Sequence, residues 1–299
     1  MFDIIYRFDP ENIAGLKIPA TWAEARDILV QGNRDFAEMT DINRPDRVTQ
    51  IIPFDPRAFG WGVAVEGAPL QSPFAGVLGC SDARVPTEMV FSKGCNEIFV
   101  VRVAGNVLGS ECLGSLHYAV QHFPTTLKLL VVMAHAGCGA VTAAVDIYLE
   151  PRKYISMATD HALRSIQDQI FVAVRVSAIA LELTYGLEVV RQPGYRAALL
   201  EAAIIINAAW TAYCLKQEFR AASRDDLGVV FGAYDLVSRF VRLPLSLPNE
   251  VTLEEIGLFE PPDSVEAFRA LARYICQGKL IQHHLGMKPV EGLATIAQQ

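Results

Sequence analysis

Phe74-Ala75-Gly76-Val77-Leu78-Gly79-Cys80-Ser81-Asp82-Ala83-Arg84-Val85-Pro86 decides how the whole chain is read. An uncharged, largely apolar run leads to a cysteine, and a carboxylate, a guanidinium and a proline follow it within six residues. A short apolar run bounded by turn residues has the length of a strand buried on both faces. The pattern recurs at Glu97-Ile98-Phe99-Val100-Val101-Arg102 and at Leu127-Lys128-Leu129-Leu130-Val131-Val132-Met133, the latter running on into His135-Ala136-Gly137-Cys138-Gly139. Helix-compatible segments separate the runs, from Pro86 to Phe91 and from Ser110 to His122, where Leu113, Leu116, His117 and Val120 share one face. Such alternation predicts an α/β fold, a mainly parallel central β-sheet flanked by helices.

Outward from this core, Thr21 to Met39 reads as an amphipathic helix with Thr21 as its cap, interrupted near Gly32. From Asn43 to Pro73, Pro, Gly and Asp are frequent, which predicts irregular structure or a docking arm. Residues 139–222 read as almost wholly helical, with two long apolar helices near 168–190 and 197–219. A last core strand is expected at Gly228–Tyr234 and a short edge strand at Ser238–Leu243. Beyond Pro244, one further helix is expected from about Ser264 to His284, with Asp263 or Ser264 as its cap and Gly278 or Gly286 as its end. Its apolar stripe, Val265, Phe268, Leu271, Ala272 and Ile275, has to be covered. It is expected to dock on the preceding domain, across a subunit boundary, without supplying ligands.

The 299 residues are 52% hydrophobic and 20% charged, with a formal charge of -7. That composition fits a packed globular chain. It lacks the basic footprint a nucleic-acid partner would need. Met1 to Asp9 has no basic region followed by an apolar one, as a secretory leader would, so the expected location is cytoplasmic. The longest uncharged stretches, Leu129–Val145 and Ala202–Leu215, are glycine-broken or too short to cross a bilayer, so no membrane insertion is expected. The six cysteines, at 80, 95, 112, 138, 214 and 276, lack the dense spacing of a disulfide framework.

Cys80 ends one strand, and His135 and Cys138 follow another. Parallel sheets place their ligand sites at the carboxyl ends of strands. Two thiolates and one imidazole can hold Zn²⁺ while leaving a fourth position open, the pattern of a catalytic zinc site rather than a structural one. The Asp82 and Arg84 pair beside them would have no use in a purely structural site.

Three blocks, Cys80-Ser81-Asp82-Ala83-Arg84-Val85-Pro86, Arg102-Val103-Ala104-Gly105-Asn106 and His135-Ala136-Gly137-Cys138-Gly139, resemble the signature blocks of β-class carbonic anhydrases in order and spacing. Gly32-Asn33-Arg34-Asp35-Phe36, Leu113–Val120 and Gly232-Ala233-Tyr234-Asp235-Leu236 extend the likeness over about residues 21–245. The resemblance implies a catalytic domain over 1–245, with a helical arm at 1–73 and the zinc-site core at 74–145. It gives no counterpart for the helical extension at 246–299.

What the resemblance implies for chemistry is hydration of CO2 to bicarbonate and a proton, with one Zn²⁺ per subunit on Cys80, His135 and Cys138. Asp82 and Arg84 would be the catalytic pair, with Asp82 as a fourth ligand in a closed state. Arg102, Gly105, Asn106 and Gly139 would shape the substrate pocket. A homodimer or higher even oligomer is implied. Enzymes resembling this family also hydrolyse CS2 or COS, and a catalytically inactive zinc protein serving assembly or docking is a further alternative. Ala83, Ala134 and Ala136 depart from residues common in the family. Val77 stands where members with an inhibitory bicarbonate pocket carry tryptophan, so no such pocket is implied.

Overall fold

Strands β3 (Ala75–Gly79), β4 (Ile98–Arg102), β5 (Leu129–His135) and β6 (Gly228–Tyr234) form a parallel sheet, which β7 (Val241–Arg242) joins antiparallel at one edge. The order across the sheet is β4-β3-β5-β6-β7. This is a computed structural model, and it describes residues 1–8, 18–41, 48–53, 55–59, 70–220 and 226–289. β3, β5 and β6 are buried along their full length. Alternate residues feed two cores. Val77, Leu129 and Val131 pack on one face, and Leu78, Leu130 and Val132 on the other. A strand buried on both faces has no polar side, which is why these runs read as continuous apolar stretches.

One face is covered by α1 (Trp22–Met39), with Ala25, Leu29 and Phe36 turned inward. The Thr21 hydroxyl accepts from the Glu24 N–H and caps it. The helix is not interrupted at Gly32. A Cβ there would lie 2.0 Å from the Phe91 carbonyl oxygen, so the glycine permits close packing, and that contact outweighs its low helix propensity. The neighbouring Asn33 is buried. Its amide donates to the carbonyls of Val90 and Arg239 (3.1 Å each), and its oxygen accepts from the Val241 N–H at 2.6 Å.

The opposite face carries α3 (Ser110–His122), α4 (Gly139–Leu149), α6 (His161–Tyr185) and α7 (Tyr195–Arg220). Two short helices, α2 (Thr87–Val90) and α5 (Arg152–Met157), link elements in this order. α7 extends well beyond the uncharged stretch 202–215. By length and composition it could cross a membrane, and 72% of its most apolar window is buried inside the structure, as in a core helix.

Other expectations change as well. Within 43–73, residues Val48–Pro53 form β2, which pairs in parallel with β1 (Phe2–Arg7) as a ribbon separate from the main sheet. A short 3-10 turn follows at Pro56–Phe59, while 42–47, 54 and 60–69 lie outside the described residues. The edge strand shrinks to two residues.

The single helix expected at 264–284 is two, α8 (Val265–Cys276) and α9 (Lys279–Leu285), divided at Gly278. A Cβ on Gly278 would come 2.8 Å from the Leu245 carbonyl oxygen, so the chain turns where it touches that segment. Ser264, not Asp263, caps α8 by accepting from the Ala267 N–H. Phe268, Ala272 and Ile275 are buried in the core formed with α6 and α7 of the same chain, while Val265 of the stripe is exposed. Full burial of a Phe or Ile side chain contributes about 1.5–3 kcal/mol before ordering entropy. Residues 290–299 of the extension lie outside the described part.

Between β6 and α8 the chain is pinned by a buried ion network. Arg242 donates to Asp235 Oδ2 from Nε (3.0 Å) and Nη2 (2.7 Å), and from Nη1 to Glu255 Oε2 (2.9 Å) and the Ser246 carbonyl (3.0 Å).

Candidate metal centre

The parallel pairing of β3 with β5 aligns Gly79 with Met133, so Cys80 and His135 emerge at the same end of the sheet. Gly137, at φ +65°, turns the chain back, and Cys138 becomes the N-cap of α4. Cys80 Sγ, Cys138 Sγ and a His135 ring nitrogen lie within 4.8 Å of one another, and all three residues are buried. The two sulfurs are 3.9 Å apart and the thiols are free.

The donor set is arranged for a cation. His135 Nδ1 lies 3.0 Å from the Ala136 carbonyl, which can only accept, so Nδ1 carries the proton and Nε2 presents its lone pair. That Nε2 is buried and has no hydrogen-bond partner among the described residues. A buried acceptor left unbonded is costly unless something else occupies it. Hydrogen bonding from Cys138 holds the Cys80 thiol well below its ordinary range, helped by contacts from His135 and from the Gly105 N–H. Cys138 is pushed up by its bond to Cys80 and by burial, while the amides of Ala140 and Val141 at the start of α4 pull it the other way. A metal ion among these atoms would satisfy Nε2 and take both sulfurs as ligands, so the residues fit the group.

Asp82 stands at the rim. Arg84 clamps it with two parallel bonds, Nε to Oδ1 at 2.9 Å and Nη2 to Oδ2 at 2.6 Å, and the Arg84 N–H adds a third at 2.9 Å. These bonds hold the Asp82 carboxyl well below the usual carboxylate range. Its Oδ2 is 3.8 Å from His135 Nε2, which places the carboxylate beside the cluster without bonding to it.

The remaining sequence candidates take supporting places. Arg102 donates from Nε to the Cys80 carbonyl at 2.9 Å and from Nη2 to the Asp82 carbonyl, tying the Cys80–Arg84 loop to the end of β4. Gly105, at φ +71°, gives its N–H to Cys80 Sγ at 3.4 Å. Asn106 is buried at φ 46°, and the oxygen and nitrogen of its side chain have no hydrogen-bond partner among the described residues. Gly139 is the first residue of α4 and exposed. Cys95, Cys112, Cys214 and Cys276 stay outside the cluster, the sole group of three metal-binding side chains among the described residues.

Sequence reasoning missed two residues of the flanking helices. Asn207 of α7 donates to the Gly105 carbonyl at 2.8 Å, and Gln167 of α6 donates to the Ala140 carbonyl at 3.2 Å. The available signal was a lone amide inside the apolar run Ala202-Ala203-Ile204-Ile205-Ile206-Asn207-Ala208-Ala209.

The chain was compared with known proteins. A family model described as carbonic anhydrase matches residues 75–182. Carbonic anhydrase 2 of Mycobacterium tuberculosis is 40% identical over 117 residues, 39% of this chain and 49% of that protein. A carbonic anhydrase of Mycolicibacterium smegmatis is 48% identical over 78 residues, 25% of this chain and 36% of the relative. The chain thus spans about half or less of the length of the curated relatives it matches. Among solved structures, the β-carbonic anhydrase CafA of Aspergillus fumigatus aligns over 67% of this chain and 81% of its own, at 21% identity and a TM-score of 0.44. The stretch matched by the carbonic anhydrase family model, residues 75–182, contains Cys80, His135 and Cys138, the three residues of the cluster.

Proposed function

We propose that the protein catalyses the reversible hydration of CO2 to bicarbonate and a proton, with one zinc ion per subunit held by Cys80, His135 and Cys138. The observation that carries this reading is the buried cluster itself, two sulfurs and an unpartnered imidazole nitrogen within 4.8 Å, with a clamped carboxylate 3.8 Å from that nitrogen. When bound, zinc supplies a Lewis acid that makes water a nucleophile at neutral pH.

The chain's own residues do the rest. Asp82 stays ionised because Arg84 holds both of its oxygens, so it accepts a hydrogen bond from water at the cluster and orients it. Arg84 prevents the carboxylate from turning toward the cluster. Arg102 fixes the backbone of Cys80 and Asp82, so the ligand and the carboxylate keep one spacing. The protein works as a homodimer or higher even oligomer in the cytoplasm, with α7 as a core helix and not a membrane span. Exposed apolar side chains on the β1–β2 ribbon and on α6, Phe2, Ile5, Tyr6, Ile179 and Leu183, support assembly.

The test is metal content and CO2 hydration by stopped flow, on pure protein. Wild type should hold one zinc per chain and turn over CO2, while Cys80→Ser and Cys138→Ser lose most of the metal. Asp82→Asn should keep the metal and lose at least about a hundredfold in rate. Full zinc in both serine variants, or near-native turnover in Asp82→Asn, would defeat the reading. Light scattering of the eluted protein reads the oligomer, and a fully active monomer would remove that part.

A further inference from the structure

Asn207 is 1% exposed, in the middle of the apolar helix α7. An amide in such a place needs a partner, and it reaches across 102 residues of sequence to the Gly105 carbonyl at 2.8 Å. Gly105 is the residue whose N–H points at Cys80 Sγ, 3.4 Å away. At φ +71° it sits where only glycine rests comfortably, and a Cβ would come 2.8 Å from Ile170 Cδ1 and 3.1 Å from Ala140 Cβ. The loop is therefore pressed between α4 and α6 and held from α7 by a single side chain. A glycine's own torsions have little intrinsic preference, so packing and hydrogen bonds have to set them. With the residue pressed between α4 and α6, anchoring the Gly105 carbonyl also holds the N–H of the same residue on its line to Cys80.

We propose that Asn207, outside the matched stretch 75–182, is a positioning residue for the metal centre. It aims the Gly105 N–H at the Cys80 thiolate and so sets how strongly that sulfur donates to the bound ion. The inference rests on the reading of Cys80, His135 and Cys138 as metal ligands. A hydrogen bond to a ligating sulfur withdraws electron density from it, and outer partners of this kind commonly change metal affinity by about 10–100-fold when removed.

Co²⁺ loaded in place of zinc reports the bond directly, because the thiolate-to-cobalt charge-transfer band in the near ultraviolet follows the donor strength of the sulfur. Asn207→Leu keeps the volume and removes the donor. Its band should move to longer wavelength, because the sulfur regains electron density. Because Cys80 also loses the contact that holds it in place for the ion, Co²⁺ should be lost to a competing chelator at about tenfold lower chelator concentration. Asn207→Gln, which keeps an amide donor, should return both readings toward wild type. If the leucine variant does not fold, Asn207→Ala, smaller and equally unable to donate, should show the same shift. A folded leucine or alanine variant with the wild-type band and wild-type affinity would overturn the proposal. A wild-type protein that shows no thiolate–cobalt band at all would instead refute the metal reading beneath it, and the inference with it.

Discussion

Replacing Arg242 by methionine tests the network that pins the C-terminal segment to the sheet. The arginine side chain is 1% exposed, and its carboxylate partners Asp235 and Glu255 are 8% and 7% exposed. Methionine fills most of the volume but leaves two buried anions without a cation. Glu255 keeps part of its solvation, because Ser246 donates to Oε2 from its N–H at 3.0 Å and its hydroxyl at 2.9 Å, and Thr252 donates to Oε1 at 3.2 Å. Asp235 fares worse. Its Oδ1 retains the N–H groups of Val237 and Ser238, but Arg242 gives both of the hydrogen bonds that Oδ2 receives in the network. Breaking a buried pair from one side costs about 3–5 kcal/mol. The structure assigns most of that to Asp235, so adding Asp235→Asn to Arg242→Met should recover about 1–2 kcal/mol. Urea unfolding followed by tryptophan fluorescence measures both numbers. A loss below about 1 kcal/mol for Arg242→Met, with no coupling to Asp235, would refute the reasoning and mark the network as bystander chemistry.

Other outcomes follow from the same contacts. Phe268→Ala, which removes a buried ring 5.3 Å from that of Trp210, should cost about 3–5 kcal/mol in thermal or urea unfolding while leaving metal content unchanged. Gly105→Ala forces a side chain into the left-handed region against Ile170 and Ala140. It should cost about 1–3 kcal/mol and weaken metal retention against a chelator. Burial raises the Glu201 carboxyl, and Asp235 adds to the rise. A carboxyl raised above its unfolded value adds no penalty below that value, about 4.3, and its full penalty above the folded one. Glu201→Gln should therefore raise the melting temperature at pH 7, and the gain should vanish as the pH falls below about 4. An equal gain at every pH would exclude the ionisation as its cause.

The site was legible in sequence because its parts are local. Cys80 follows a strand directly, His135 closes another, and two residues separate His135 from Cys138, so strand periodicity and spacing sufficed to bring them together. What escaped were contacts made across long separations. Nothing in Phe2–Arg7 announces that it pairs with Val48–Pro53, since a parallel partner carries no turn signal between the strands. Gly32 reads as a helix break, and only the Phe91 carbonyl packed against it shows why the helix continues. Arg242 lies in the expected edge strand, yet it is buried, because Asp235, 7 residues back, and Glu255, 13 residues ahead, close around it. Asn207 shows in the sequence only as a lone amide in an apolar run, because its partner Gly105 lies 102 residues back.

Asn33 also sets a schedule for synthesis. One of its backbone partners, Val90, lies 57 residues downstream, while the others, Arg239 and Val241, lie 206 and 208 residues downstream. At about 5–20 residues per second, the ribosome needs roughly 10–40 s to deliver the last of them. During that interval helix α1 can rest on the first strands, but its buried amide keeps an unfilled acceptor. Helix α1 thus completes its hydrogen bonds only after residues 239 and 241 have been made.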